Sequence, residues 1–153
     1  MRPPSRPPKP EDPRRSALFA RVRQKGTSAE LAVAAVLREL GVAYRLNVKA
    51  LPGSPDFANQ KRKWAVFVHG CYWHHHTGCK RATVPKTNEA FWRGKFADNR
   101  ARDARAIRAL RCAGFRVAVV WECETAAGGE TLRRKLESVV DADPCAKRSH
   151  CAH

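Results

Sequence analysis

Apolar residues take up a helical period as soon as the chain becomes regular. Val33, Val36, Leu37 and Leu40 recur at i, i+3, i+4 and i+7. Ahead of them, Thr27-Ser28-Ala29-Glu30 has the capping-box pattern, in which a hydroxyl and a carboxyl satisfy free backbone N–H groups. Gly41 is placed to end this helix. Residues 43–48 read as a strand, Leu51-Pro52-Gly53-Ser54-Pro55 as a turn, and Asp56-Phe57-Ala58 as the opening of a second short strand. After the basic turn Lys61-Arg62-Lys63, the run Trp64-Ala65-Val66-Phe67-Val68 is apolar at every position, the mark of a strand covered on both faces. A loop rich in His and Cys spans 69–81. A long helix over about 89–113 turns Trp92, Phe96, Ile107 and Leu110 inward and many arginines outward, and Gly114 stops it. Phe115–Trp121 is a second buried strand, able to lie beside Trp64–Val68. A last helix near 129–140 uses Leu132, Leu136 and Val139 or Val140. The order predicts one mixed α/β domain, a small sheet flanked by helices.

The two ends differ from this middle. Residues 1–13 contain six of the ten prolines and almost nothing apolar, so they cannot bury a core. From Arg14 to Lys25 the chain stays basic but gains Leu18, Phe19 and Val22, which suits an arm that orders on a partner. The expected organisation is a basic, Pro-rich flexible arm over 1–18, a folded domain over 19–140 and a loose tail over 141–153.

Charge narrows the choice of partner. The 153 residues carry 30 Lys+Arg against 14 Asp+Glu, a formal net charge of +16. Residues 1–25 hold eight basic and two acidic side chains, and residues 26–140 hold twenty and ten, so the core is basic in its own right. An excess of this size concerns partners more than fold, and it points to a polyanion. No apolar run reaches the roughly 18 residues that would span a bilayer. The basic N-terminus has no apolar stretch behind it, unlike a secretory signal. Membrane insertion and secretion are disfavoured, and a cytoplasmic protein bound to nucleic acid is the expectation.

Without an export signal, six cysteines read as metal ligands or free thiols more than as disulfides. In His69-Gly70-Cys71-Tyr72-Trp73-His74-His75-His76-Thr77-Gly78-Cys79, three ligands for a tetrahedral zinc are at hand in Cys71, His76 and Cys79. Cys123, just past the strand Phe115–Trp121, is placed to be the fourth. Cys112 falls inside a helix and reads as a small core side chain. Cys145, His150, Cys151 and His153 crowd the tail without a clear role.

A second constellation is acidic and lies near histidines. If the strands around residues 57 and 66 form a hairpin, Asp56 and His69 meet at one end of the sheet. A carboxylate there could hold Mg²⁺ together with a backbone carbonyl such as that of Val68. Glu30 shares a helix face with Val33 and Leu37, so it is either a capping residue alone or also a support for that site. His69 and His74 are candidates for proton transfer, since imidazole titrates near neutrality. His75 is expected at the surface. Tyr72 and Trp73 either pack over the loop or act as aromatic wedges between bases.

These residues resemble one family. Pro55-Asp56-Phe57, the run from Phe67 to His74 with His76 and Cys79, Phe91-Trp92, Asn99 to Asp103 and Val120-Trp121-Glu122-Cys123 are similar, in the same order, to the very short patch repair (Vsr) endonucleases. The likeness spans about residues 19–124. It implies a restriction-endonuclease-like fold and an enzyme that nicks DNA 5′ to the thymine of a T:G mismatch, the lesion left by deaminated 5-methylcytosine. It also implies Asp56 and the Val68 carbonyl as Mg²⁺ ligands, His74 as or beside the general base, and His69 and Glu30 completing the active site. Cys71, His76, Cys79 and Cys123 would bind a structural Zn²⁺. Tyr72 and Trp73 would be the wedge, with Phe19 entering from the other groove. Further implications are a monomer on double-stranded DNA, a nucleoid location, and a link to mismatch-repair proteins and a cytosine-5 methyltransferase system. A nuclease of the same fold acting on intact or modified DNA, and a zinc-stabilised DNA-binding module without catalysis, are the alternatives.

Overall fold

A computed structural model describes residues 26–127 and 129–141. Thr27 starts the first helix, α1 (Ser28–Glu39), its hydroxyl accepting the Glu30 N–H at 3.3 Å. The Glu30 carboxylate reaches one residue further back than a capping box requires and accepts the Gly26 N–H at 2.9 Å. At the other end Gly41 sits in the left-handed region (φ 67°). Its N–H bonds the Arg38 carbonyl at 3.0 Å and the Val42 N–H bonds the Leu37 carbonyl at 3.3 Å, the paired bonds of a Schellman ending. The same device ends the long helix α2 (Glu89–Cys112), where Gly114 bonds Arg111 and Phe115 bonds Leu110, both at 3.0 Å.

Four strands form one sheet in the order β1-β2-β3-β4, with β1 Arg45–Leu46, β2 Phe57–Asn59, β3 Trp64–His69 and β4 Arg116–Trp121. The first three are antiparallel neighbours, while β4 runs parallel to β3 from Trp64↔Arg116 to His69↔Trp121. Alternation along β3 feeds two cores. Trp64 and Val66 pack with Phe57, Val33, Leu37, Leu132 and Leu136, under α1 and the last helix α4 (Gly129–Val140). Ala65 and Phe67 pack with Leu110 and Phe115 on the α2 side. The expected mixed α/β layering is therefore present, with helices on both faces of the sheet.

Several expectations change. The strand expected over 43–48 shrinks to Arg45–Leu46, because Asn47 takes a positive φ of 47° and turns the chain, although Asn47 and Val48 still donate to the Asp56 and Pro55 carbonyls. A short helix, α3 (Glu122–Ala127), follows β4 directly and buries none of its residues, so no apolar period announced it. Cys112, expected in the core, is exposed at the last turn of α2, two residues past Leu110 and so on the face away from the buried stripe. The arm over 1–18, Phe19, and the cluster Cys145, His150, Cys151 and His153 lie outside the described residues. Among the described residues, no helix is long and apolar enough to cross a membrane.

Candidate active site and metal centre

The parallel pairing of β3 and β4 decides where the chemistry sits. Both strands finish at the same edge, His69 opposite Trp121, so the loop after β3 and the helix after β4 leave the sheet side by side. Cys71 and Cys123 are thereby brought together, and the Cys123 N–H donates to the Cys71 sulfur at 3.4 Å. The ligand atoms of Cys71, His76, Cys79 and Cys123 all lie within 4.8 Å of one another. His76 Nδ1 is 3.8 Å from the Cys71 sulfur and 3.4 Å from the Cys123 sulfur. Tetrahedral zinc, with bonds of about 2.3 Å to sulfur and 2.0 Å to nitrogen, would hold such atoms about 3.6 Å apart. Three sulfurs and one imidazole at these separations fit a closed metal site. Burial pushes the Cys71 thiol up to about 12, whereas backbone N–H groups, that of Arg81 foremost, lower Cys79. A cation among the four sites would offset the cost of a buried thiolate. An ion pair between Arg81 and Glu122 (3.5 Å) spans the same junction on its outer side.

A second group lies beside the first. His74 Nδ1 is 2.6 Å from Asp103 Oδ2, which leaves Nε2 as the ring nitrogen not engaged by that carboxylate. His69 stacks flat on His74, with ring centres 3.8 Å apart and planes 2° from parallel. His69 is only 5% exposed, and burial, followed by the His74 charge, lowers it to about 4, so it is neutral at physiological pH. Asp103 had no role assigned from the sequence. Its signal was nonetheless present: Phe96, Asn99, Asp103, Ala106 and Leu110 share one face of α2, and two polar residues interrupt an otherwise buried stripe. Asn99 uses that position to donate to the Trp73 carbonyl at 2.9 Å, pinning the loop that carries His74.

Asp56 stands at the mouth of the β2–β3 hairpin. Its Oδ2 accepts the Val68 N–H at 2.7 Å, so the expected meeting of residue 56 with the end of β3 holds. Burial raises its carboxyl to about 6, the Val68 bond opposes this, and the charge of Glu30 adds to it. Glu30 therefore faces the site while also capping α1. The ligand atoms of His69, His74 and Asp103 also lie close enough together to hold a cation, and Asp56 belongs neither to that group nor to the Cys/His cluster. The turn ahead of it is tight: Gly53 has a φ of 73°, and a Cβ there would fall 2.6 Å from that of Ala106.

Aromatic side chains roof the loop. Tyr72 lies edge-on to Phe96 (5.4 Å) and to Trp73 (5.1 Å), and Trp92 completes the group. Both Tyr72 and Trp73 are half-buried. His75, expected at the surface, is half-buried too and stacks on Phe96 at 4.8 Å, because a positive φ of 47° turns it back onto α2. Away from its buried stripe, α2 exposes Arg100, Arg102, Arg105, Arg108 and Arg111 along its length.

The family model described as DNA mismatch endonuclease Vsr matches residues 9–81. The type II nicking enzyme V.XorIIP of Xanthomonas oryzae pv. oryzae is 44% identical over 128 residues, covering 84% of this chain and 93% of that protein. V.NmeAIP of Neisseria meningitidis, also a type II nicking enzyme, is 38% identical over 132 residues, covering 84% and 94%. The DNA mismatch endonuclease Vsr of Escherichia coli is 39% identical over 109 residues, covering 71% of this chain and 69% of its own.

Proposed function

The chain belongs to the Vsr family of DNA mismatch endonucleases, and from that premise we propose that it nicks one strand of double-stranded DNA 5′ to the thymine of a T:G mismatch by Mg²⁺-dependent hydrolysis. One observation carries the hydrolytic reading: the His74–Asp103 pair at 2.6 Å, set beside a desolvated Asp56. A carboxylate withdrawn from water and facing a second carboxylate, Glu30, suits a hard cation with oxygen ligands. Asp56 and the Val68 carbonyl would hold Mg²⁺, which when bound supplies charge stabilisation for the leaving oxygen.

The remaining work falls to side chains. Asp103 accepts the Nδ1 proton of His74, fixes its tautomer and favours the imidazolium that forms when Nε2 takes a proton from water. His69 remains neutral, so it offers a hydrogen bond to phosphate without repelling that imidazolium. Zn²⁺ at Cys71, His76, Cys79 and Cys123 would be structural, holding the loop that carries His74. Tyr72 and Trp73 would wedge beside the mismatch, with Phe19 of the arm opposite, and the α2 arginines would meet phosphates. A restriction-endonuclease-like fold, a monomeric state, a cytoplasmic and nucleoid location, and work alongside mismatch-repair proteins and a cytosine-5 methyltransferase system belong to the same proposal.

The test is a nicking assay with Mg²⁺ on matched, T:G and cytosine-methylated duplexes in several flanking sequences. A single nick 5′ to the mispaired thymine, lost in Asp56→Ala and His74→Ala with mismatch binding retained, is the expected result. Cleavage of the matched duplex at an equal rate would sink the mismatch assignment. Full activity of either variant would sink the assigned site.

A further inference from the structure

We propose that Trp121 is a positioning residue that ties the state of the Cys71/His76/Cys79/Cys123 metal site to the geometry of His69 and His74. Four rings stand in an unbroken row. His76 stacks on the Trp121 indole at 4.1 Å and 5°, the indole meets His69 edge-on at 5.2 Å and 75°, and His69 stacks on His74 at 3.8 Å and 2°. The first ring belongs to the metal ligand set and the last is bonded to Asp103. Trp121 is the member that belongs to neither group.

Its backbone is held from two sides. Trp121 ends β4 opposite His69 in the parallel register. It also stands immediately before α3, and the Glu124 carboxylate reaches back to its N–H at 2.8 Å, the second half of a capping box. Lys135 of α4 grips both oxygens of that carboxylate at 3.0 Å. The indole thus hangs from a fixed point, and its two faces of contact are imidazoles from the two sites. Coordination at Nδ1 would set the plane of the His76 ring, and a ring stacked at 5° must follow that plane. The edge of the indole then limits where His69 lies, and His69 limits His74.

The proposal rests on the reading of His69 and His74 as the nicking pair, and two measurements separate the one from the other. The full-length protein, labelled at its histidine rings, is compared by NMR with Zn²⁺ and with the larger Cd²⁺ at the four-ligand site. In the wild type, exchange of the ion should move the His69 and His74 signals as well as that of His76. In Trp121→Leu only the His76 signal should move, since the backbone of the loop is intact but the ring is gone. Equal movement of His69 and His74 in that variant would show coupling through the loop alone and overturn the proposal. In single-turnover nicking of T:G duplex, Trp121→Leu should lose about tenfold in rate with little change in DNA affinity, and Trp121→Phe should recover most of it. An unchanged rate, or a loss that Trp121→Phe does not relieve, would also overturn it. If Trp121→Leu fails to hold zinc, Trp121→Met, which also lacks a ring, carries the NMR test, with His69 and His74 signals that stay in place expected and a full response refuting. A protein silent on T:G DNA but showing the NMR coupling would overturn the reading of the site and leave the coupling standing.

Discussion

Asp56→Asn should make the protein more stable while removing its activity. A carboxyl moved from 3.8 to about 6 by burial is a group that the folded chain prefers to keep protonated. Below pH 4 the group is neutral in both folded and unfolded chains and costs nothing. As pH rises from 4 to 6 the unfolded chain releases the proton first, so stability falls, and above 6 the loss is constant. The shift corresponds to about 3 kcal/mol, or about 2–3 kcal/mol after some allowance for relaxation and water entry. Asparagine keeps an oxygen for the Val68 N–H but carries no charge to desolvate. Thermal unfolding of zinc-loaded protein without magnesium should therefore show Asp56→Asn ahead by about 4–12 °C at pH 8, at about 2–4 °C per kcal/mol. The lead should vanish by pH 4. His69 titrates in the same window with the opposite sign, because its pKa is lowered from 6.5 to about 4, so its contribution is present above 6.5 and lost on acidification. Both proteins share it, and the difference between them cancels it. A variant no more stable than wild type at pH 8, or a lead that persists at pH 4, would refute the argument.

Other outcomes follow from the same geometry. Asp103→Asn keeps a partner for His74 but removes the charge, and single-turnover nicking should fall by about 10²–10⁴-fold; a change under threefold would remove Asp103 from the mechanism. Cys71→Ser should lose the stoichiometric zinc and a large part of the thermal stability, and metal analysis beside calorimetry reads both. Gly53→Ala forces a side chain into the left-handed region and against Ala106, so urea unfolding should show a loss of about 1–3 kcal/mol. If the exposed arginines of α2 meet six to ten phosphates together with the arm, DNA affinity should fall about 10³–10⁵-fold between 50 and 200 mM salt. A flat response in a fluorescence anisotropy titration would refute the phosphate role.

Local chemistry was the part that the sequence made readable. Thr27 and Glu30 cap α1, and Gly41 and Gly114 end helices in left-handed geometry, because each depends on atoms within a few residues. The all-apolar run Trp64–Val68 is a central strand because only a covered strand tolerates it. Cys123 could be joined to Cys71 because a strand beside a strand is the one long-range step needed. What escaped depended on details beyond pattern. Asn47 and His75 adopt positive φ although neither is glycine, and this shortened β1 and turned His75 inward. α3 buries nothing and is held by the reach of Glu124, so hydrophobic period could not reveal it. Asp103 and Asn99 hide among nine other charged side chains on α2 until the loop they face is known.

The polar pair in the α2 stripe also affects how that helix comes loose. Phe96 secures one end against the aromatic roof, and Ile107 and Leu110 secure the other against the sheet, but the stretch between them is moored to a loop and not to a core. Its hold on the rest of the chain is borrowed from whatever keeps residues 70–79 in shape. Stripping the proposed zinc would thus unmoor the middle of a helix twenty residues or more away in sequence. The arginines on its outer side would then lose their common alignment before the sheet itself gave way.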